Sequence, residues 1–361
     1  MVPFQTGDGM QNKTFTPETL TELAFVLMKS SGLSDDDSRT IAEDLVAAEL
    51  RGLASHGVSR IPMYLNRLSL DLVKINPRIT VERVANSALK VNGDDGMGFI
   101  VSHRAIEEGI KVAKETGLCL VGINHSTHFG MAALYVKQAL EAGLNSIIFT
   151  NSSPALAPFG GKATFLGAAP LAAGMVGGNN APPYVLDMAM TVIARGKIRV
   201  AMTNKEKIPE GLALDSEGRP TTDPEEAFKG VCLPFGGVKG SSLAMLMDLI
   251  AGLYTGAGFG GEVKSLYYDH SGPQNVGHLF FLFRPDLFMS LEEYKNRMDH
   301  FYDNLKAVPL AAGFDEILMP GEPEARKESF YRKNGIAVSA NILEDLSKCA
   351  QERGVDISSF I

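Results

Sequence analysis

Helix-forming segments lie at the two ends of this chain, and its middle is dense in glycine and proline. A helix that Thr16 can cap places Leu20 and Leu23 on one face. Leu291–Leu305 and Ile342–Arg353 show the same apolar periodicity near the other end. Between them, short apolar runs bounded by glycine are typical of buried strands.

This distribution predicts an α+β fold in which the two chain ends combine into one helix-rich domain and the middle forms a second domain. We expect residues 14–122 and 291–361 in the first domain and residues 123–290 in the second. A chain of 361 residues is too long for one ordinary core, which also favours two domains.

The composition of the chain limits the kinds of molecule that it is expected to bind. The formal net charge of -8 argues against binding of nucleic acid through bulk charge. Cys119, Cys232 and Cys349 form no CxxC pair, as expected in a reducing compartment. The chain shows neither a secretory signal nor an apolar run long enough for a membrane span. We therefore expect a cytoplasmic protein with no membrane partner.

Glycine-rich strings are the first candidates for cofactor binding. Gly256–Gly261 matches GxGxxG, but it follows an apolar helix instead of a strand, so we interpret it as a helix-ending turn. Pro158–Lys162 and Pro234–Gly240 each combine glycines with a lysine. Such segments can hold a phosphate, and they can equally be surface turns.

The string Ser55–Arg60 is the most informative polar cluster. Ser59 can cap the next helix, which would place Arg60 and Tyr64 on one face. A guanidinium binds a carboxylate with two hydrogen bonds, and His56 can exchange a proton near neutral pH. The alternative is a purely structural cap beside a packed histidine.

A second polar cluster, His125–Gly130, follows the apolar run Leu118–Ile123. His125 and His128 could bind a metal with His103, although no recognised zinc spacing completes the set, and a lone catalytic imidazole is the competing interpretation. Asp187 ends another apolar run and could orient a histidine, contact a nicotinamide or cap a turn.

Taken together, these strings resemble the malate/L-lactate dehydrogenase family, over residues 15 to about 345. The matching strings, in chain order, are Arg51-Gly52, Ser55-His56-Gly57, Arg60, His128-Phe129-Gly130, Pro158-Phe159-Gly160-Gly161, Asp187-Met188-Ala189, Asp215, Gly218, Thr222-Asp223-Pro224 and Lys239-Gly240.

The resemblance implies a non-Rossmann NAD(P)-binding domain with a largely antiparallel sheet, which would be residues 123–290, and a helix-rich substrate and dimerisation domain. It also implies a homodimer with active sites near the subunit interface. In such enzymes the position matching His128 or His56 transfers the proton, and those matching Ser55, Arg60 and Tyr64 bind substrate. The positions at the cofactor, NAD or NADP, match Ser152, Asp187, Met188, Ala189, Lys239, Pro320, Gly321 and Glu322. No metal is implied.

This chain departs from the family pattern at three places. Gly167-Ala168-Ala169-Pro170 stands where Gly-Thr-Asn-Pro is common, Met190-Thr191 replaces Thr-Ser, and Ser241-Ser242 replaces Tyr-Gly. We therefore expect hydride transfer between a nicotinamide and a small 2-hydroxy or 2-oxo carboxylate of the malate, lactate, ureidoglycolate or sulfolactate type. The departures favour an altered substrate over malate and lactate themselves, with a degenerate site as the alternative. A cyclic imine carboxylate is the alternative substrate. A metal-dependent hydrolase and a non-catalytic binding protein are the alternatives outside the family.

Overall fold

A computed structural model describes residues 11–168 and 170–361 and divides them into two compact units. The smaller unit contains the described residues up to Asp71 together with Pro323–Ile361, and the larger unit is Leu72–Glu322. Ala169, one of the positions that departs from the family pattern, lies outside the described residues.

The helices are α1 (Pro17–Lys29), α2 (Asp35–Leu50), α3 (Ile61–Ser69), α4 (Gly98–Thr116), α5 (Ala133–Glu141), α6 (Arg195–Asn204), α7 (Pro224–Lys229), α8 (Val238–Met247), α9 (Leu291–Ala307), α10 (Glu322–Asn334) and α11 (Ala340–Glu352). The strands are β1 (Lys13–Phe15), β2 (Thr80–Ala85), β3 (Ala88–Asn92), β4 (Leu118–Ser126), β5 (Asn145–Thr150), β6 (Pro154–Leu156), β7 (Leu166–Gly167), β8 (Leu171–Met175), β9 (Tyr184–Met188), β10 (Ala213–Leu214), β11 (Val231–Cys232), β12 (Val276–Phe283) and β13 (Ile336–Val338).

In the smaller unit, side chains cap the starts of α1 and α2. The predicted cap of α3 is wrong: that helix has Arg60 at its N-cap without a side-chain bond, and the Ser59 hydroxyl instead donates to the Ala54 carbonyl at 2.8 Å. The Thr16 hydroxyl accepts a hydrogen bond from Thr19 N, and the Ser34 hydroxyl accepts one from Asp37 N. The two chain ends meet in a short antiparallel pair, β1 with β13, in which Thr14 lies opposite Ala337.

The larger unit is built on a seven-stranded sheet in the order β2-β3-β4-β12-β5-β8-β9. Its neighbours run antiparallel except β3 and β4, which are parallel. This topology confirms the predicted non-Rossmann, largely antiparallel sheet. Strands β2 to β4, which we grouped with the terminal helices, are hydrogen-bonded into this sheet.

A four-stranded sheet, β10-β11-β6-β7, forms a second layer of the same unit. Helices α6 and α7 pack on it around a small core that includes Ile198, Ile208 and Ala227. Neither helix is predicted by the sequence patterns above. For α6 the reason is local: it has no side-chain cap and a strongly basic sequence, so it lacks the signals of a helix start.

The GxGxxG string is structural in the way its context predicts. Helix α8 continues into a π-helical turn, Asp248–Leu253, and the glycines follow that turn. The Gly258 carbonyl accepts from Asn151 Nδ2 at 2.6 Å, and Gly260 N donates to Asp248 Oδ2 at 2.7 Å. Since these backbone groups bind within the protein, the string folds around Asn151 instead of a phosphate.

Within the described part of the chain, none of the helices has both the length and the apolar character needed to cross a membrane.

Candidate active site

The smaller unit brings most of the predicted substrate residues together. Two short 3-10 turns, Ala54–His56 and Val58–Arg60, lead directly into α3. The Ser55 hydroxyl lies 3.0 Å from His56 Nδ1, and Arg60 Nε donates to the Ser55 carbonyl. Tyr64 lies one helical turn after Arg60 and is buried.

Burial sets the protonation states of this cluster. Burial, helped by the neighbouring Arg60 charge, lowers the pKa of His56 to about 4. Burial also raises the pKa of Tyr64 well above its usual range. At neutral pH, His56 is therefore an uncharged ring and Tyr64 keeps its proton as a hydrogen-bond donor.

A buried glutamate that the sequence analysis missed holds the Ser55–Arg60 turn. Glu49 in α2 is 6% exposed, and its Oε1 accepts from Val58 N at 3.0 Å. Gly57 lies so close that a Cβ there would be 2.0 Å from the same oxygen, so only glycine fits. Burial raises the pKa of Glu49, and the bond from Val58 opposes that shift. Its sequence signal is a carboxylate within a mostly apolar helix face.

The larger unit positions His128 in a turn after β4. His128 Nδ1 accepts from Gly130 N at 3.3 Å, and His128 N donates to Gln274 Oε1 at 3.4 Å. With Nδ1 acting as an acceptor, the neutral ring carries its proton on Nε2. The Nε2–H of that tautomer can donate a hydrogen bond to an oxygen atom.

Asp187, near the end of β9, supports the same turn. Its Oδ2 accepts from the N–H of Ala133, the first residue of α5, at 2.8 Å. A carboxylate at this end of a helix is stabilised by the helix dipole. Of the roles considered for Asp187, the structural one is therefore present, because its carboxylate binds the backbone at the start of α5. Met188 is half-buried beside it, and Ala189 is exposed.

The two glycine-lysine segments lie side by side. Phe159 N donates to the Ser241 hydroxyl at 2.8 Å, and a Cβ on Gly237 would lie 3.7 Å from the Phe159 ring. Gly160 and Gly236 both have positive φ, and a Cβ on either would meet no atom within 4 Å. Backbone that is open in this way, with the exposed Lys239 beside it, fits a cofactor phosphate.

The other predicted cofactor positions lie in tighter surroundings. Ser152 packs against Gly167, where a Cβ would be 2.4 Å from its hydroxyl. The Pro320 carbonyl accepts from Val185 N at 3.0 Å, which fixes the Pro320–Glu322 turn beside β9.

Glu322 is engaged by neighbours in the larger unit. Its carboxylate accepts from the Tyr302 hydroxyl at 2.7 Å, from Lys306 Nζ at 2.6 Å and from Met319 N at 2.6 Å. These bonds hold the turn that carries Pro320 and Gly321, so Glu322 acts on the turn itself.

The histidines considered for a metal have separate partners. His125 Nδ1 lies 3.1 Å from Asp95 Oδ1, and His103 Nδ1 lies 2.6 Å from Gln138 Nε2. Among residues 11–168 and 170–361, no three His, Cys, Asp or Glu side chains cluster as metal ligands.

We expect Glu49→Gln to leave the fold intact, because the amide oxygen still accepts from Val58, whereas Glu49→Ala should lose about 1–3 kcal/mol of stability. Since the folded-state pKa of Glu49 is raised, its neutral form stabilises the fold at low pH, and this contribution is lost as pH rises through that pKa. The free energy of unfolding, measured with urea, should therefore decline less between acidic and alkaline pH in Glu49→Gln than in wild type. Equal losses in the Gln and Ala variants would contradict this role.

Comparison with known proteins identifies the family. Residues 15–347 match the malate/L-lactate dehydrogenase family model. L-Sulfolactate dehydrogenase of Methanocaldococcus jannaschii is 38% identical over 96% of this chain and 98% of that protein. A solved structure of sulfolactate dehydrogenase from that organism superimposes with a TM-score of 0.90 at 36% identity, covering 96% of this chain and 99% of its own.

Two further relatives differ in their named cofactor. (2R)-3-Sulfolactate dehydrogenase (NADP(+)) of Chromohalobacter salexigens is 38% identical over 87% of this chain and 90% of that protein. Ureidoglycolate dehydrogenase (NAD(+)) of Escherichia coli O157:H7 is 32% identical over 91% of this chain and 93% of that protein. The family predicted from the ordered strings is confirmed, and this chain belongs to the malate/L-lactate dehydrogenase family.

Proposed function

We propose that this protein transfers a hydride between NAD or NADP and the C2 carbon of a small 2-hydroxy or 2-oxo carboxylate. The observation that carries the proposal is similarity along almost the whole chain to enzymes named as dehydrogenases of such acids. Two of the relatives are named for sulfolactate, so an acid with a second anionic group is the preferred substrate class.

In this proposal Arg60 binds the substrate carboxylate. Its planar guanidinium can form two parallel hydrogen bonds with a carboxylate, and its bond to the Ser55 carbonyl fixes its position. Tyr64 supplies a neutral donor, because burial keeps its phenol protonated. Ser55 orients His56 through the contact between its hydroxyl and Nδ1.

The cofactor supplies hydride chemistry when it is bound. Lys239 and the open backbone at Gly160 and Gly236 would hold its phosphates. We assign Ser152, Asp187, Met188, Ala189, Pro320 and Gly321 to its remaining contacts. Glu322 holds the Pro320–Gly321 turn in place through its own bonds to Tyr302, Lys306 and Met319.

We assign proton transfer to His128 and substrate orientation to His56. A ring whose pKa is about 4 holds almost no proton to give at neutral pH, which disfavours His56 as the acid in the reductive direction. His128 would act as the acid in its imidazolium form, which passes the proton on Nε2 to the substrate oxygen and becomes a neutral ring. Its turn is fixed at Gln274 and Gly130.

The function is tested by following reduced-nicotinamide absorbance with both cofactors, over sulfolactate, malate, lactate, ureidoglycolate and cyclic imine carboxylates. We expect turnover of a hydroxy or oxo acid. Turnover of cyclic imine carboxylates alone would show that these are the substrates instead of hydroxy or oxo acids. Absence of both cofactor binding and turnover would contradict the proposed activity.

The role of Arg60 is tested by the Arg60→Lys variant. This variant should lower kcat/KM about 10- to 100-fold through loss of the bidentate contact, with cofactor affinity unchanged.

The two histidines should respond unequally to replacement. His128→Asn should lower the single-turnover rate about 100- to 10,000-fold through loss of acid–base catalysis. His56→Asn should cost about tenfold, as expected for a positioning hydrogen bond. Only the His128 variant should lose a limb of the pH–rate profile near neutrality. Equal, small losses would argue against histidine acid–base catalysis.

We also propose that the protein is a homodimer. Helix α8 and its π-helical extension expose an apolar stripe made of Val238, Met245, Leu246, Leu249, Leu253 and Tyr254. These positions recur at helical spacing, so they form one continuous face. Continuous apolar surface of this kind is typical of an interface between subunits, and a second copy of the chain is the proposed occupant.

Light scattering should therefore give the mass of a dimer for wild type and a smaller mass for Leu249→Glu. Phe288→Glu is the matched control, because Phe288 is 94% exposed and lies away from the stripe in sequence. A monomeric wild type would contradict the proposed dimer.

We propose that the protein is located in the cytoplasm, because its three cysteines are buried and free. Fractionation of the source cells tests that location.

A further inference from the structure

The centre of the large sheet contains a polar group that the proposed chemistry does not use. His278 lies in β12, where the sequence Val276–Phe283 is otherwise almost entirely apolar, and its side chain is fully buried. A buried imidazole is unfavourable unless both of its nitrogens have partners. Here both nitrogens do. Nδ1 lies 2.7 Å from Thr150 Oγ1 in β5, and Nε2 lies 2.9 Å from Ser126 Oγ in β4.

The hydroxyl partners determine the protonation of this ring. Thr150 Oγ1 can donate to the Asn151 carbonyl at 3.1 Å, which leaves its oxygen to accept from Nδ1 of His278. Ser126 then donates to Nε2. This arrangement satisfies a neutral ring completely. Burial lowers the pKa of His278 to about 3, although a hydrogen bond with the Thr127 backbone opposes this shift, in keeping with a ring that stays uncharged.

A β-bulge brings these three side chains together. The pairing of β12 with β4 shifts register between Val276 and His278, so that Ser126 and Ile123 are the partners on the two sides of Gly277. A Cβ on Gly277 would lie 1.7 Å from the Ala251 carbonyl, which requires glycine at the bulge. Bulges redirect side chains and commonly occur beside active sites.

The ring of His278 supports the turn that carries His128. The ring of Phe129, the next residue after His128, stacks on His278 with a centroid distance of 4.4 Å and an interplanar angle of 5°. The other neighbour of Phe129 is Tyr135, whose hydroxyl donates to the Phe129 carbonyl at 2.7 Å. Phe129 is therefore held between two rings that are themselves fixed by hydrogen bonds.

We infer that His278 is a positioning residue for proton transfer, which acts on His128 through Phe129. The Ser126–His278–Thr150 hydrogen bonds fix the plane of the imidazole across three strands. The imidazole fixes Phe129, and Phe129 fixes the backbone on which His128 is oriented. This inference rests on the proposed function only for the role of His128. The packing of Phe129 on His278 stands independently.

Two substitutions separate the parts of this arrangement. His278→Phe keeps a ring under Phe129 and loses the hydrogen bonds, whereas His278→Asn loses the ring. We expect the single-turnover rate to fall about 10- to 100-fold in His278→Asn and less in His278→Phe, because misplacement of a reacting group by about 1 Å can cost that much. Substrate KM and cofactor Kd should change little. The solvent deuterium isotope effect should increase in His278→Asn, since proton transfer becomes slower.

The control for general core damage is Leu282→Ala. Leu282 lies on the same face of β12 and is fully buried, but it packs near Gly109, away from the turn that carries His128. This variant should lose stability and keep the wild-type isotope effect. A matching isotope effect in Leu282→Ala and His278→Asn would overturn the inference. A double substitution with Phe129→Leu should add little to His278→Asn, because both act through one contact. Full additivity would overturn the inference.

A readout without turnover distinguishes this inference from the proposed function. With 15N-labelled histidine, the His128 ring should show the Nε2–H tautomer in wild type and in His278→Phe, and a mixture of tautomers in His278→Asn. An unchanged His128 spectrum in a folded His278→Asn protein overturns the inference. Failure of the proposed function would show instead as an inactive wild type, or as full activity in His128→Asn, with the spectra unaffected.

Discussion

The pairing of β12 between β4 and β5 is the interaction on which the larger unit depends. Strand β12 follows β5 by more than a hundred residues, yet it is hydrogen-bonded to both neighbours along almost its whole length. The intervening chain leaves the sheet after Thr150, adds β8 and β9 on the far side of β5, and returns at Val276 as β12. This stretch also carries the four-stranded sheet, both glycine-lysine segments and Lys239. The glycine-lysine segments are thus connected through the chain to the buried strands β5 and β12.

The sequence predicts structure best where local signals determine it. The helix that Thr16 caps, α1, and the strand that begins with the apolar run at Leu118, β4, lie close to their predicted positions because periodicity and caps act over a few residues. The sequence could not predict which strands are adjacent, since the pairing of β12 with β4 and β5 is non-local. It also missed α10, which has no apolar stripe, because no residue of this helix is buried.

The candidate site shows the same division. Short strings contained Ser55, His56, Arg60, Tyr64 and His128, and the structure shows what fixes several of them. Glu49 and His278 were missed for the same physical reason. Each is a buried polar residue in a mostly apolar helix face or strand, and its partners come from elsewhere in the chain. A buried polar side chain in such a segment is the signal that would have found them, since it needs a partner to be tolerated.

Different surroundings give the two proposed histidines different chemistry. Burial and, to a smaller extent, the Arg60 guanidinium lower the pKa of His56, so this ring suits contact with the proposed anion-binding arginine without adding a second charge. His128 lies in a turn in which the Gly130 N–H donates to Nδ1, so the neutral ring carries its proton on Nε2. Ser241 stands where the family commonly has tyrosine, and this smaller side chain still connects the two glycine-lysine segments. Its hydroxyl accepts from Phe159 N and so links the two glycine-rich turns directly. A short side chain can make that link only if the two backbones approach closely, which is what the open, left-handed glycines at 160 and 236 permit. Loss of the larger side chain therefore does not by itself imply a degenerate site, because the contact that orders the two turns remains within the chain.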